Sequence, residues 1–240
     1  AIAKLAVEAG WVPAVSPVTT LRIDAPCGQL TAFAEVVDGK VQAVRFHCVP
    51  SFVVGFDREV TVPGFGKVGY DLAYGGAFYA YVDSDRLGIP LVPENYGRLI
   101  SVGMDIKRAV AAADADIQHP FEPDLSFLYG TIFVGGPVTE GLDSRNVCIF
   151  ADGEVDRCPT GSGVSGRMAI HHARGEIGVG EKMLIESITG SVFSGSVVKT
   201  VDYGPHKAVI PEVGGTAHVT GMHTFVLDPD DPFPEGFFLR

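Results

Sequence analysis

Asp156-Arg157-Cys158-Pro159-Thr160-Gly161-Ser162-Gly163 joins a short apolar run, Val147-Cys148-Ile149-Phe150, to a helix-like stretch from Val164 to Arg174. An apolar run, a Gly-rich turn and then a helix make a strand–turn–helix unit. A helix that opens on such a turn presents backbone N–H groups with no partner inside the helix, together with the positive end of its dipole. That geometry holds an anion such as a carboxylate without a basic side chain. Thr160 enters the turn with its side chain aimed at whatever is bound there. Its chemical type therefore matters more than that of its neighbours.

Working outward, short strand candidates flank this unit on both sides. Thr19–Ile23, Leu30–Val37 and Val41–His47 are separated by Pro-Cys-Gly and Asp-Gly-Lys turns. Phe52–Val54, Glu59–Val62, Lys67–Leu72 and the strongly apolar Ala77–Val82 follow. Arg86 to Tyr96 contains Gly88, Pro90 and Pro93 and reads as a crossover between two halves. Ile100 to Ala113 has apolar residues at helical spacing. A second strand series is expected at Gly130–Val134, Val147–Phe150, Lys182–Ser187, Val192–Thr200 and His206–Ile210, with one more at His223–Leu227.

The chain of 240 residues has 30 glycines and 16 prolines, which favours many turns and short strands. Its formal net charge of −11 argues against nucleic acid or an anionic membrane as the main partner. No apolar run approaches the ~18–20 residues of a membrane span, and the start has no signal-peptide pattern. The 4 cysteines, Cys27, Cys48, Cys148 and Cys158, form neither a metal-ligand pair nor a dense disulfide framework. A reducing, cytoplasmic setting is expected.

Ala1 to Gly10 reads as a helix already under way, with Ile2, Leu5, Ala6 and Ala9 on one face and Gly10 as its C-cap. No N-cap residue precedes it, so the expectation is that an N-terminal segment is missing. The end of this helix is faintly like the end of the second, at Ile170–Ile177. Two similar helices among short strands suggest two related halves with both helix N-termini facing one cleft. The division expected is residues 1–93 with 220–240 against 94–219.

Several segments, in the same order, resemble the proline racemase family. They are Val49-Pro50-Ser51-Phe52-Val53, Asp71-Leu72-Ala73-Tyr74-Gly75-Gly76-Ala77-Phe78-Tyr79-Ala80, Gly88-Ile89-Pro90-Leu91, Glu186-Ser187-Ile188-Thr189-Gly190-Ser191 and Val226 to Pro234, together with residues 156 to 163. The resemblance implies an α+β fold of the diaminopimelate epimerase kind. It has two pseudo-symmetric halves, each a mixed curled sheet around a central helix, with a small cyclic imino acid between them. It further implies that Asp156 binds the ring amine, that Gly161 and Ser162 bind the carboxylate and that Phe150 packs on the ring.

The family's racemases oppose two cysteines across the substrate α-carbon. Here the second of these is Thr160, with Cys158 where serine is usual, and the Met-Cys-Gly-His motif of the first is absent. By family spacing that first cysteine would lie a few residues before Ala1. Inversion needs a base on one face and an acid on the other, and thiols serve both roles because their pKa lies near neutrality. A lone aliphatic hydroxyl is a very poor proton acceptor, which disfavours racemisation. Elimination remains open, and threonine at this position resembles the trans-3-hydroxy-L-proline dehydratases of the family. The implied reaction removes the α-proton and expels the 3-hydroxyl, with Thr160 orienting the leaving group. No metal or organic cofactor is expected.

The alternatives are a proline racemase or 4-hydroxyproline 2-epimerase using Cys158 as second thiol, and an inactive fragment or non-catalytic binding relative. Thr160 and Asp156 can also be read as capping residues, and Phe150 as core. Two positions before Thr160 along an extended segment, Cys158 is not expected at the place where Thr160 points. Cys27 reads as a turn residue, Cys48 and Cys148 as small core residues, and His171–His172 as non-ligands. Asp228, Asp230 and Asp231 read as a solvated turn. A homodimer is allowed for.

Overall fold

The computed structural model describes residues 1–237. Residues 238–240, the last three of the expected first half, lie outside the described residues. The chain runs α1 (Ile2–Glu8), β1 (Val18–Ala25), β2 (Gly28–Val37), β3 (Lys40–His47), β4 (Ser51–Val62), β5 (Gly66–Tyr74), β6 (Phe78–Asp83), α2 (Tyr96–Ala113), β7 (Leu128–Gly135), β8 (Ser144–Phe150), β9 (Glu154–Val155), α3 (Gly161–Ala173), β10 (Lys182–Glu186), β11 (Val192–Tyr203) and β12 (His206–Gly215).

One mixed sheet takes in all the strands, in the order β1-β2-β3-β12-β11-β10-β8-β7-β6-β5-β4, with β9 beside β8. A short pairing of β12 with β4, Ala208 with Phe52 and Val209 with Ser51, closes eight of these strands into a ring. Two neighbouring pairs in the ring are parallel, β6 with β7 and β8 with β10. Parallel neighbours need a long crossover, and these two are the ones a helix bridges. α2 makes its crossover outside the ring, against β7, β4 and β8, while α3 makes its crossover inside, against β4, β5, β11 and β12.

This arrangement explains the apolar runs. Alternate residues of a strand point to opposite faces, and here both faces of β7 and β8 are covered. Ile132 and Cys148 face the interior with Tyr79, Tyr81 and Ile170, while Phe133 and Ile149 face α2. Buried on two sides, such strands read as continuous apolar stretches. α3 is enclosed, and every residue from Gly163 to Ile170 is buried.

The expected strands at Phe52–Val54 and Glu59–Val62 form one strand, β4, interrupted by irregular register between Val53 and Arg58. Asp57 sits there at φ 49°, so an extra-residue bulge produces the break seen in the pattern. Arg86 to Tyr96 leads from β6 into α2, and β4–β6 share the closed ring with β7, β8 and β10–β12. The strand expected at His223–Leu227 does not form: this segment has no regular structure, and Met222, Phe225 and Val226 are exposed. A strand needs a neighbouring edge to satisfy its backbone, and no strand among the described residues pairs with this segment. No helix among the described residues is long and apolar enough to cross a membrane.

Candidate active site at the amino end of the enclosed helix

α3 begins immediately after Thr160, and its first helical bond runs from the Val164 amide to the Thr160 carbonyl at 2.8 Å. The amides of Gly161, Ser162 and Gly163 precede that bond and have no acceptor inside the helix. No acidic side chain occupies the first turn, and no side chain caps it. A helix end with free amides, set inside a closed sheet, carries a concentrated positive partial charge.

Thr160 is 7% exposed and sits at φ 69°, ψ 112°. A β-branched residue in the left-handed region is strained and persists only where its surroundings over-determine it. Its hydroxyl is not spent on capping and instead donates to Asp156 Oδ2 at 2.8 Å. The other carboxylate oxygen, Oδ1, accepts from the Cys158 amide at 3.4 Å and from the Cys158 thiol at 3.2 Å.

Two neighbouring segments hold the turn from behind. The hydroxyls of Ser187, Thr189 and Ser191 converge on the Arg157 carbonyl at 2.9, 2.7 and 2.9 Å. Asn146 Nδ2 donates to the Pro159 carbonyl at 3.2 Å. The loop carrying those hydroxyls follows Glu186, whose fully buried carboxylate pairs with Arg145 at 3.0 Å. Burial alone would raise the Glu186 carboxyl. The Arg145 pair, with hydrogen bonds from the Val138 and Thr139 amides and the Thr139 hydroxyl, instead brings it down to about 2.

Asp156, Thr160, Gly161 and Ser162 are thus brought together. Phe150 reaches them indirectly. It lies on the inner face of β8, its ring 5.5 Å from that of Tyr129, which stands edge-on to Tyr79 at 5.9 Å. Tyr79 Oη lies 2.9 Å from Ser162 Oγ. Burial pushes the Tyr79 phenol well above its usual pKa, so it remains a neutral hydroxyl.

Cys158 departs from expectation. The segment is bent at left-handed Thr160, and Cys158 and Thr160 meet the same carboxylate. Burial, and then the Asp156 charge, push the Cys158 thiol up to about 11. It is a proton donor at neutral pH and a poor base. Burial also raises the Cys27, Cys48 and Cys148 thiols. His171 and His172 are engaged by Glu176 and by the Ile177 carbonyl. Asp228 and Asp231 accept backbone amides of Asp230 and Phe233 in an exposed turn.

Sequence reasoning missed Tyr79, Phe46 and the glycine pair Gly75–Gly76. An ideal Cβ on Gly75 would run into the Ser162 carbonyl and the Gly166 amide, so the β5–β6 turn packs backbone-to-backbone on the first turn of α3. Gly76, at φ 104°, lies between Cys27 and Ser162. Phe46 on β3 covers Gly161, its Cζ 3.1 Å from where a Cβ would stand. Phe46 also lines a small cleft with Ala1. The amino ends of α1 and α3 therefore share one region. The signal for Gly75, Gly76 and Tyr79 was present in the Asp71–Ala80 segment, but nothing local assigned it to this turn.

The family model described as proline racemase matches residues 1–238. A trans-3-hydroxy-L-proline dehydratase from Colwellia psychrerythraea is 50% identical over 240 residues, which is 100% of this chain and 67% of that protein. A 3-hydroxyproline 2-epimerase from Burkholderia multivorans is 43% identical over 240 residues, 100% of this chain and 71% of that protein. Among solved structures, a hydroxyproline epimerase from Agrobacterium vitis with bound trans-4-hydroxy-L-proline superposes with a TM-score of 0.93 at 33% identity, covering 99% of this chain and 68% of that one. The chain thus spans about two thirds of the length of these relatives, as the 67% coverage of the first illustrates. With a family model matched almost end to end and a fold superposing this closely, the chain belongs to the proline racemase family.

Proposed function

We propose that this site takes part in the dehydration of trans-3-hydroxy-L-proline to Δ1-pyrroline-2-carboxylate. One observation carries the reading: a threonine hydroxyl, held by Asp156 at 2.8 Å, stands where the family's racemases carry a thiol. The substrate carboxylate docks on the free amides of Gly161 and Ser162, the ring ammonium on Asp156, and Phe150 borders the ring. A base removes the α-proton, and the electron pair left on the α-carbon forms a double bond to C3. The C3–O bond breaks, and the hydroxyl takes up a proton and leaves as water. The resulting cyclic enamine tautomerises to the imine. The dehydratase names of several relatives at 42–50% identity support this reading. The chemistry as written uses no cofactor. The base is not assigned to any of the four cysteines, whose thiols are all raised.

The Cys158 thiol 3.2 Å from the same carboxylate keeps an epimerase as second reading. Pyrroline-2-carboxylate formation from trans-3-hydroxy-L-proline, followed alongside loss of optical rotation from proline and 4-hydroxyproline, separates the two. Dehydration is expected. Thr160→Ala should reduce its rate by about 10²-fold or more, the usual worth of a group that manages a proton at the reacting bond. It should leave binding of pyrrole-2-carboxylate within about threefold. Inversion without dehydration, abolished by Cys158→Ser, would establish the second reading; binding without turnover would leave a binding relative.

The division into halves, 1–93 with 220–240 and 94–219, belongs to this proposal. Limited cleavage near residue 93 tests it: separable pieces favour two halves, whereas pieces held together favour the ring as the folding unit.

A further inference from the structure

Asn146 is fully buried on β8, and both ends of its amide are engaged. Nδ2 donates to the Pro159 carbonyl at 3.2 Å, and Oδ1 accepts from Arg167 Nη1 at 3.0 Å. Arg167 lies on α3, buried inside the ring, and donates also to Ser144 Oγ and to His171 Nε2, each at 2.7 Å. None of these partners is a carboxylate. His171 Nε2 must be the unprotonated nitrogen, so Nδ1 carries the proton toward Glu176 Oε2 at 2.5 Å. A buried guanidinium paired only with neutral groups costs more than an apolar side chain of similar volume. Burial draws its pKa down to about 10. Packing alone does not account for an arginine here.

The asparagine amide explains it. An amide fits its slot equally well either way round, and only one orientation presents N–H to Pro159. Arginine is a donor without acceptor capacity, so it accepts only the orientation with oxygen toward itself. We propose that Arg167 and Asn146 are positioning residues: the guanidinium orients the Asn146 amide, which grips the Pro159 carbonyl and keeps Thr160 in its left-handed conformation with its hydroxyl on Asp156. This rests on the reading of Thr160 as the group that handles the leaving hydroxyl.

The test uses the full chain with Asn146→Asp, Arg167→Met and Arg167→Lys. Asn146→Asp is isosteric and still accepts from Arg167, but it turns a carboxylate toward Pro159. Amides of residues 156–163 should then exchange hydrogen about tenfold faster than in the wild type, corrected for intrinsic rates. The kcat should fall about tenfold with KM within about twofold. Arg167→Met should loosen the same segment, and Arg167→Lys, which keeps a donor, should loosen it less. Unchanged exchange at 156–163 in Asn146→Asp, or equal behaviour of the two Arg167 variants, overturns the proposal even where the melting temperature falls. Should Arg167→Met fail to fold, Asn146→Asp decides alone. A wild-type protein without dehydratase activity removes the functional reading and leaves the exchange measurement to judge the positioning role.

Discussion

α1 and α3 meet in the same region of the molecule and differ in what surrounds them. α3 lies inside the ring with eight consecutive residues buried, and the turn before it is gripped at Arg157 and Pro159. α1 has 7 residues and rests on β2 and β3 from outside, burying Ala3, Ala6 and Val7. Ile2 is 64% exposed, and the main polar fastening is Lys4 and Glu8 on the backbone of Val41. The enclosed amino end of α3 combines a low dielectric with a backbone that has nowhere to relax, and both are needed for a defined binding geometry.

The contrast predicts unequal tolerance of mutation. The largest effect is expected from Glu186→Gln, because it strands the buried Arg145 charge at the base of the hydroxyl loop. Removing one partner of such a pair costs about 3–5 kcal/mol, read as a lower urea midpoint at pH 7. The sign with pH follows from a carboxyl lowered from 4.5 to about 2 in the folded state. Its stabilisation is complete above the unfolded value and is lost as pH falls through the window between them. The gap between wild type and variant should therefore narrow across that acid range; a constant gap would show that charge is not the source.

Met168→Ala comes next. This side chain is fully buried between α3 and β11, and truncation should cost about 2–5 kcal/mol in thermal or urea unfolding. A loss below about 1 kcal/mol would mean that the ring collapses around the helix and that the enclosure is soft. The smallest effect is expected at the outer helix. Ile2→Ser should change stability by less than about 0.5 kcal/mol, and a larger loss would reveal that α1 carries more of the fold than its exposure implies.

Much of the ring was legible locally. The Gly-rich turn, the helix it opens and the apolar runs of β6, β7 and β8 follow from turn chemistry and periodicity, which act over a few residues. Closure was not legible, because it rests on two residue pairs joining segments some 150 positions apart, Phe52 with Ala208 and Ser51 with Val209. β9 escaped notice at two residues long. The tail was read as a strand from its β-branched and aromatic content, but content does not supply a partner edge.

The candidate site divides the same way. Asp156, Thr160, Gly161 and Ser162 lie within seven residues of one another, so the chain's own turn brings them together. Tyr79, Phe46, Asn146 and Arg167 arrive from β6, β3, β8 and the second turn of α3, and nothing local assigns them to this turn. The fate of Cys158 shows the limit most clearly: it was not expected where Thr160 points, yet in the folded turn both side chains reach the Asp156 carboxylate.

What the amino-acid order settled unaided is the chemical inventory of the turn: a hydroxyl in place of a thiol, an acid four residues before it, and glycines that leave the helix amides bare. Which groups are charged, which way Thr160 faces and what stands behind it were decided by the closed ring. Burial and hydrogen bonding depend on atoms from distant segments, and those meet only when the sheet has curled around α3.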